Sequence, residues 1–352
     1  MTKKPLTYQE QSYIDNTMRL REILTTLPSF AADFFRAIEP KSSALTRISY
    51  AYDIRVFFHF LMENNPTYKD YNMNQFTIND LQQMEPLDIE EYQEYLKVYS
   101  SNDRNITNGE KGLSRKMSAL RSFYRYYYRH HFIDNDPTAL VDMPKLHDKA
   151  IIRLDDDEVA ELLDYIESCG NLLSGQRKSY YEKTKSRDLA IVTLLLGTGI
   201  RVSECVGLDI QDVDFKNNGI KITRKGGNEM VVYFGKEVET ALKHYLETTR
   251  AGICPLSNHE NALFLSTQKK RMGIQAVENM VKKYTNQITP HKKITPHKLR
   301  STYGTSLYKE TGDIYLVADV LGHKDVNTTK KHYAAIDENR RKQAASAVTL
   351  RE

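Results

Sequence analysis

Leu196-Gly197-Thr198-Gly199-Ile200-Arg201-Val202-Ser203-Glu204 sets a single arginine immediately behind an apolar run, Arg187 to Leu196. The run reads as a buried helix, and Gly-Thr-Gly stops it, so Arg201 is presented from a rigid support. Glu204, three residues on, is placed to orient or brace it. Moving toward the C-terminus, Gly219 to Thr223 and Met230 to Phe234 read as two strands around Arg224-Lys225-Gly226-Gly227-Asn228-Glu229, a hairpin with a glycine-rich tip. From Val238 the pattern returns to helices, with one at Ile274 to Ile288 and another at Leu299 to Thr311. Along this stretch fall Lys225, then His297 and Arg300 in Pro-His-Lys-Leu-Arg, His323 in Leu-Gly-His, and Tyr333. Together with Arg201 these are two guanidiniums, a lysine, two imidazoles and a phenol, a set suited to chemistry at a phosphodiester without a metal. Each short motif is weak alone, and the order carries the weight.

Outward in the other direction, Leu154-Asp155-Asp156-Asp157-Glu158 opens a helix with acids in its first turn, where the helix dipole favours them. That explanation is structural, and no metal site is read there. Gly170 to Lys185 is polar and basic, a surface loop or an irregular helix. Pro144 to Ala150 reads as an extended linker, so the chain divides into residues 1–148 and 149–352. Before the linker, helices are expected at Tyr8 to Leu24, Pro28 to Ala37, Ser42 to Met62 and Pro86 to Val98, followed by a polar loop from Ser100 to Gly112. Ser114 then opens a helix whose Met117, Leu120, Tyr124 and Tyr127 recur at steps of three and four, while Arg121, Arg125 and Arg129 line another face. The fold class is mainly α: an all-helical first domain, then a mixed α+β domain with a small antiparallel sheet.

The chain has 352 residues, long for one domain and sufficient for two cores. With 40% hydrophobic and 27% charged residues, the composition is that of a soluble globular protein. The first twenty residues hold no apolar run of the signal-peptide kind, and Leu189 to Ile200 is too short to span a bilayer, so cytoplasmic residence is expected. Cys169, Cys205 and Cys254 are few, odd in number and widely separated, which suggests neither disulfides nor a zinc site. A net charge of +4 is modest, but its distribution is not even. Arg104 to His131 holds seven Lys or Arg against one acid, whereas Arg153 to Glu167 holds seven acids and one base. A local basic face is a better pointer to nucleic acid than the total. Lys111, Arg115, Lys116, Arg121 and Arg125 are the candidate DNA contacts, the first three near the helix start where backbone N–H groups already favour phosphate and the others on its arginine stripe. A solvated helix face is the alternative reading.

The segments Gly-Thr-Gly-Ile-Arg-Val-Ser-Glu, Lys225 in its hairpin, Thr-Pro-His-Lys-Leu-Arg, Val-Leu-Gly-His and Thr-Thr-Lys-Lys-His-Tyr resemble the active-site boxes of the tyrosine recombinases. Within that family the chain is most similar to the bacterial Xer branch in its single-recombinase form. The resemblance covers essentially the whole chain, because the part before Pro144 is also similar to the family's core-binding domain. It implies an arginine clamp in Arg201 and Arg300, a nucleophile in Tyr333, a general acid in Lys225, a general base in His297 and a phosphate donor in His323.

Physical chemistry runs alongside. A guanidinium offers paired planar donors to non-bridging oxygens, a geometry that lysine lacks. A phenol, with an ordinary pKa of about 10, needs a base or a positive field to attack at neutral pH. Of 23 tyrosines, Tyr333 is singled out because none other lies between His323 and the chain end, and Asn327 would cap a short helix presenting it. Two departures from the family stand out: a spacing of ten rather than nine residues from His323, and Ser301-Thr302-Tyr303 where a histidine often follows the second arginine. No cofactor is implied. Partners implied by the resemblance are double-stranded DNA, a homotetramer on that DNA with Asp337 to Glu352 docking into a neighbour, and a division-linked DNA translocase acting in chromosome-dimer resolution. An integrase of a mobile element would use the same six residues. A catalytically silent DNA-binding protein would be expected to have lost at least one.

Overall fold

The computed structural model describes residues 6–101, 103–147, 151–224, 227–322 and 326, and the chain separates into two compact units, Met1–Lys149 and Ala150–Glu352. In the first unit the helices are α1 (Tyr8–Leu24), α2 (Ala31–Ala37), α3 (Ala44–Asn64), α4 (Ile78–Gln82) and α5 (Pro86–Tyr95). A two-stranded ribbon follows, β1 (Val98–Ser101) and β2 (Arg104–Thr107), and then α6 (Glu110–Arg129). Thr7 starts α1 because its side chain accepts the Glu10 N–H while the Glu10 carboxylate accepts the Thr7 N–H at 2.8 Å. The core is aromatic. Phe57 and Phe58 of α3 and Phe123 and Tyr124 of α6 are fully buried. Rings meet edge-on or tilted at 4.9 Å (Phe58–Phe76), 5.1 Å (Phe57–Tyr92) and 5.3 Å (Phe34–Phe123), each such pair adding about 0.5–1.5 kcal/mol beyond its buried area.

The ribbon corrects the expectation of an all-helical first domain. It pairs Val98 with Thr107 and Tyr99 with Ile106, and Asn108 Nδ2 donates to the Leu96 carbonyl at 2.6 Å to fix its base. With four residues per strand, the apolar alternation is too short to stand out from a polar loop.

Several basic residues of α6 have protein partners that the sequence pattern does not reveal. Asp53 on α3 is 2% exposed, and Lys116 Nζ at 3.1 Å and Arg115 Nη2 at 2.9 Å hold it. Burial pushes the Asp53 carboxyl above its ordinary value, and the two cations pull the other way. Lys116 is itself buried, with its ammonium committed to Asp53. Arg121 is half-buried and donates through Nε to the Thr138 carbonyl at 3.0 Å and through Nη2 to the Val141 carbonyl, tying α6 to the segment after it. Arg115 is exposed but spends two donors on Asp53, whereas Lys111 and Arg125 are exposed on the helix surface.

The second unit runs α7 (Asp156–Ser168), α8 (Gly175–Thr198), α9 (Val202–Gly207), β3 (Val213–Asp214), β4 (Gly219–Thr223) and β5 (Glu229–Tyr233). Helices α10 (Lys236–His244), α11 (Ile274–Ile288), α12 (Pro296–Thr311) and α13 (Ile314–Leu321) complete it. Asp155 and Glu158 form a capping box at the start of α7. Lys292 Nζ reaches both carboxylates, at 2.9 and 2.6 Å, and Lys309 pairs with Asp156 at 3.0 Å. The acidic run therefore also fixes α7 to α12 and the stretch before it. The basic segment left open between loop and irregular helix begins with a 3-10 turn, Cys169–Leu172, and from Gly175 on is the N-terminal half of α8. Its buried face is small: Tyr181 donates to the Ile166 and Glu167 carbonyls at 2.9 and 2.6 Å, and Thr184 is buried beside it. Farther on, Ala190, Ile191, Val192, Leu194 and Leu195 are buried together.

The antiparallel sheet has the order β3-β4-β5, with Ile220 facing Val232 and Ile222 facing Met230. Ile220, Ile222 and Val232 point inward, and Lys221 pairs with Glu229 on the outer side at 2.9 Å. Arg224 closes the turn between β4 and β5, its N–H donating to the Asn228 carbonyl at 2.8 Å and its carbonyl accepting from the Gly227 N–H at 3.0 Å. Among the described residues, no helix is long and apolar enough to cross a membrane.

Candidate active site

Helix α8 ends because Gly199 takes the left-handed conformation, φ +61°, and returns its N–H to the Leu195 carbonyl at 3.0 Å. The chain turns there at close quarters: a Cβ on Gly199 would lie 2.4 Å from Tyr303 Cδ1 and 2.9 Å from Leu321 Cδ2. This turn delivers Arg201 to the N-cap of α9. Its N–H donates to Glu204 Oε2 and its Nη1 to Glu204 Oε1, both at 2.8 Å. Glu204 is buried, so one carboxylate fixes the arginine at its backbone and at its guanidinium. Its Nη2 reaches the Gly322 carbonyl at 3.3 Å.

Arg300 arrives from α12, whose start is set by Thr295 at the N-cap and Pro296 in the first turn. It is 4% exposed, with Nη1 donating to the Gly199 carbonyl at 2.6 Å and Nη2 to the Leu321 carbonyl. His297 sits one helical turn earlier and is exposed, and Ser301 Oγ donates to its carbonyl at 3.1 Å. The residues after Arg300 that depart from the family have packing duties: Thr302 Oγ1 accepts the Leu154 N–H at 3.0 Å, and Tyr303 packs against Gly199.

A third guanidinium shares this place, one that sequence reasoning passed over in favour of its neighbour Lys225. Arg224 Nη2 donates to the Val320 carbonyl at 2.7 Å. Its guanidinium lies where a Cβ of Gly322 would be, 0.9 Å from Nη1, and Gly322 has the left-handed φ of +62° that spares it a side chain. Burial holds the Arg224 cation below its ordinary pKa; Glu204 and Asp319 oppose that shift and Arg201 adds to it. The one signal in the sequence was the doublet Arg224-Lys225 at the hairpin tip.

Val320, Leu321 and Gly322 thus offer three successive carbonyls to Arg224, Arg300 and Arg201. These are the orphan acceptors at the C-terminus of α13, the negative end of that helix. They hold three mutually repelling cations side by side at one helix end. Cys205, beside Glu204, is fully buried and its thiol is pushed up to about 12 by burial, which keeps it out of the chemistry. Lys225, His323 and Tyr333 lie outside the described residues, as do Asn327 and the tail from Asp337 to Glu352.

Comparison with known proteins places these features in context. Residues 152–340 match the model of the phage integrase family. The tyrosine recombinase XerS of Streptococcus uberis is 30% identical, over 88% of this chain and 93% of its own. The tyrosine recombinase XerC of Caldanaerobacter subterraneus subsp. tengcongensis is also 30% identical, over 89% of this chain and 84% of its own. Among solved structures, the XerH recombinase in a pre-cleavage complex with its difH substrate superposes with a TM-score of 0.64 at 18% identity, covering 98% of this chain and 91% of that one. A lambda integrase dimer bound to a core site gives 0.59 at 15% identity, covering 85% and 96%. Both likenesses establish the tyrosine-recombinase fold.

Proposed function

The chain belongs to the phage integrase family of tyrosine recombinases, site-specific enzymes that cleave and rejoin DNA, and on that premise we propose the following division of labour. Arg201 and Arg300 clamp the non-bridging oxygens of the scissile phosphate. The Tyr333 phenol loses its proton to His297 as its oxygen bonds to phosphorus. The bond from phosphorus to the 5′ oxygen breaks, Lys225 gives that oxygen a proton, and His323 adds a donor to the phosphate. The products are a 3′-phosphotyrosyl link and a free 5′-hydroxyl, so the bond's energy is retained and rejoining needs no ATP.

The observation that carries this reading is the convergence of Arg201 and Arg300 on adjacent carbonyls of one helix end. Residues exposed on α6, Lys111 and Arg125 foremost, contact the DNA backbone from the first unit, which clamps the duplex together with the second. Exchange of two duplexes calls for four active sites, hence a homotetramer on DNA, with the tail docking between neighbours. Similarity to XerS and XerC relatives supports chromosome-dimer resolution at a dif-like site in the cytoplasm, triggered by a division-linked DNA translocase.

The test uses a nicked suicide DNA carrying the host chromosome's candidate resolution site. A covalent protein–DNA adduct is expected, and Tyr333→Phe should abolish it. An adduct that survives the change would sink the nucleophile assignment. Cleavage only of an element-borne end would favour the mobile-element integrase.

A further inference from the structure

We propose that Arg224 is a positioning residue that straps the β4–β5 turn, and with it Lys225, to the end of α13. The proposal rests on the reading of Lys225 as the general acid. Arg224 is the residue before Lys225, and it makes two kinds of bond at once. Its backbone closes the turn through Asn228 and Gly227. Its guanidinium leaves the hairpin and donates to the Val320 carbonyl at 2.7 Å. Val320 is followed by Leu321 and Gly322, the acceptors of Arg300 and Arg201, and in sequence by His323. One side chain therefore joins the hairpin to the same helix end that gathers the two clamping arginines.

Such a strap has a chemical purpose. A general acid works only within hydrogen-bond reach of the leaving oxygen, and an exposed two-stranded turn does not hold a lysine to that tolerance unaided. Glycines follow Lys225 in the sequence, and the residue before it is the one whose side chain is anchored. An arginine suits the task better than a lysine. Its planar head lies over the bare Gly322 while still donating sideways to a carbonyl. Its Nε is buried and has no hydrogen-bond partner among the described residues, so the side chain is held by packing as well as by its one carbonyl bond. Gly322 completes the arrangement, since any side chain there would displace the guanidinium.

The experiment has two arms. In the first, hydrogen exchange is measured on the free full-length protein. Arg224→Ala is expected to speed exchange of the Arg224-to-Glu229 turn amides at least about tenfold while leaving the buried half of α8 unchanged. Arg224→Lys, which can still reach one carbonyl, should recover part of the protection. Unchanged turn exchange in both variants overturns the strap.

In the second arm, cleavage is compared on ordinary suicide DNA and on DNA with a 5′-thiolate leaving group, which needs no proton. Arg224→Ala should lose at least about tenfold on ordinary DNA and regain most of it on the thiolate. It should also add no further loss to Lys225→Ala. Equal loss on both substrates would mean that Arg224 touches the phosphate itself, and would overturn the positioning role. If Lys225→Ala is not rescued by the thiolate, the general-acid reading fails by itself, and the exchange arm still decides whether the strap exists.

Discussion

Gly199 is where the fold and the site meet, and Gly199→Ala should damage both by amounts that can be worked out in advance. An alanine at φ +61° carries a left-handed penalty of about 1–2 kcal/mol. Its methyl would also lie 2.4 Å from the Tyr303 ring and 2.9 Å from Leu321, an overpacking cost of about 1–3 kcal/mol. The sum is about 2–5 kcal/mol, and for a unit of this size each kcal/mol lowers the melting temperature by about 2–4 °C. Calorimetry should therefore show a fall of roughly 4–20 °C in the transition of the second unit.

Gly175→Ala separates the two contributions, because Gly175 also has positive φ, +55°, yet nothing lies within 4 Å of a Cβ placed there. It should lose only the conformational part, about 1–2 kcal/mol. The packing part has a functional edge. Tyr303 lies on the helix that carries Arg300, and Arg300 spends its two Nη donors on the carbonyls of Gly199 and Leu321. Pushing Tyr303 and Leu321 aside moves both acceptors, so suicide-DNA cleavage well below the melting point should drop more than about tenfold in Gly199→Ala and little in Gly175→Ala. A Gly199→Ala protein that melts no lower than Gly175→Ala, or that cleaves normally, would refute the account of this turn.

Other outcomes follow from pairings elsewhere. Lys116→Ala leaves Asp53 buried with one cation fewer and should destabilise the first unit by about 3 kcal/mol in urea unfolding, with little change in the salt dependence of DNA binding. Lys111→Ala and Arg125→Ala should do the reverse, each reducing the slope of log K against log salt by about one while leaving stability alone. If Lys116→Ala shifts the salt slope as they do, its assignment to the core is wrong. The Asp155 carboxyl is held below its ordinary 3.8 chiefly by the Lys292 hydrogen bond. Between the two values the unfolded chain binds more protons, so this pairing stabilises above the ordinary value and is lost as pH falls through the lowered one. The melting-temperature gap between wild type and Lys292→Met should hold from pH 7 to 5 and close below about pH 4. A gap independent of pH would exclude Asp155 as the source.

Legibility in the sequence followed the range of the interactions. Helix α11 was readable to its ends, and α8 was readable where it is buried and closed by Gly199, because period and stop signal are local. Arg201 stood out because it sits at a helix boundary that the sequence announces, and Arg300 because it lies in a short motif, Pro-His-Lys-Leu-Arg, at the start of a helix. The partners of the α6 cations were not legible for the opposite reason. Spacing at i and i+4 tells which arginines share a face but not what stands opposite, and the partner of Arg115 and Lys116 lies 62 and 63 residues away on α3. Arg224 was overlooked on the same ground: its role depends on a carbonyl 96 residues along the chain, and from sequence it was one more turn cation beside Lys225. A basic side chain has too many honest uses for its local pattern to choose among them. Buried acids and helix-end carbonyls claim cations first, because leaving them unpaired costs more than a surface phosphate contact returns. In this chain the claimants include Asp53, Glu204 and the end of α13, and the arginines gathered at α13 become a candidate active site because three of them, rather than one, answer to a single helix end.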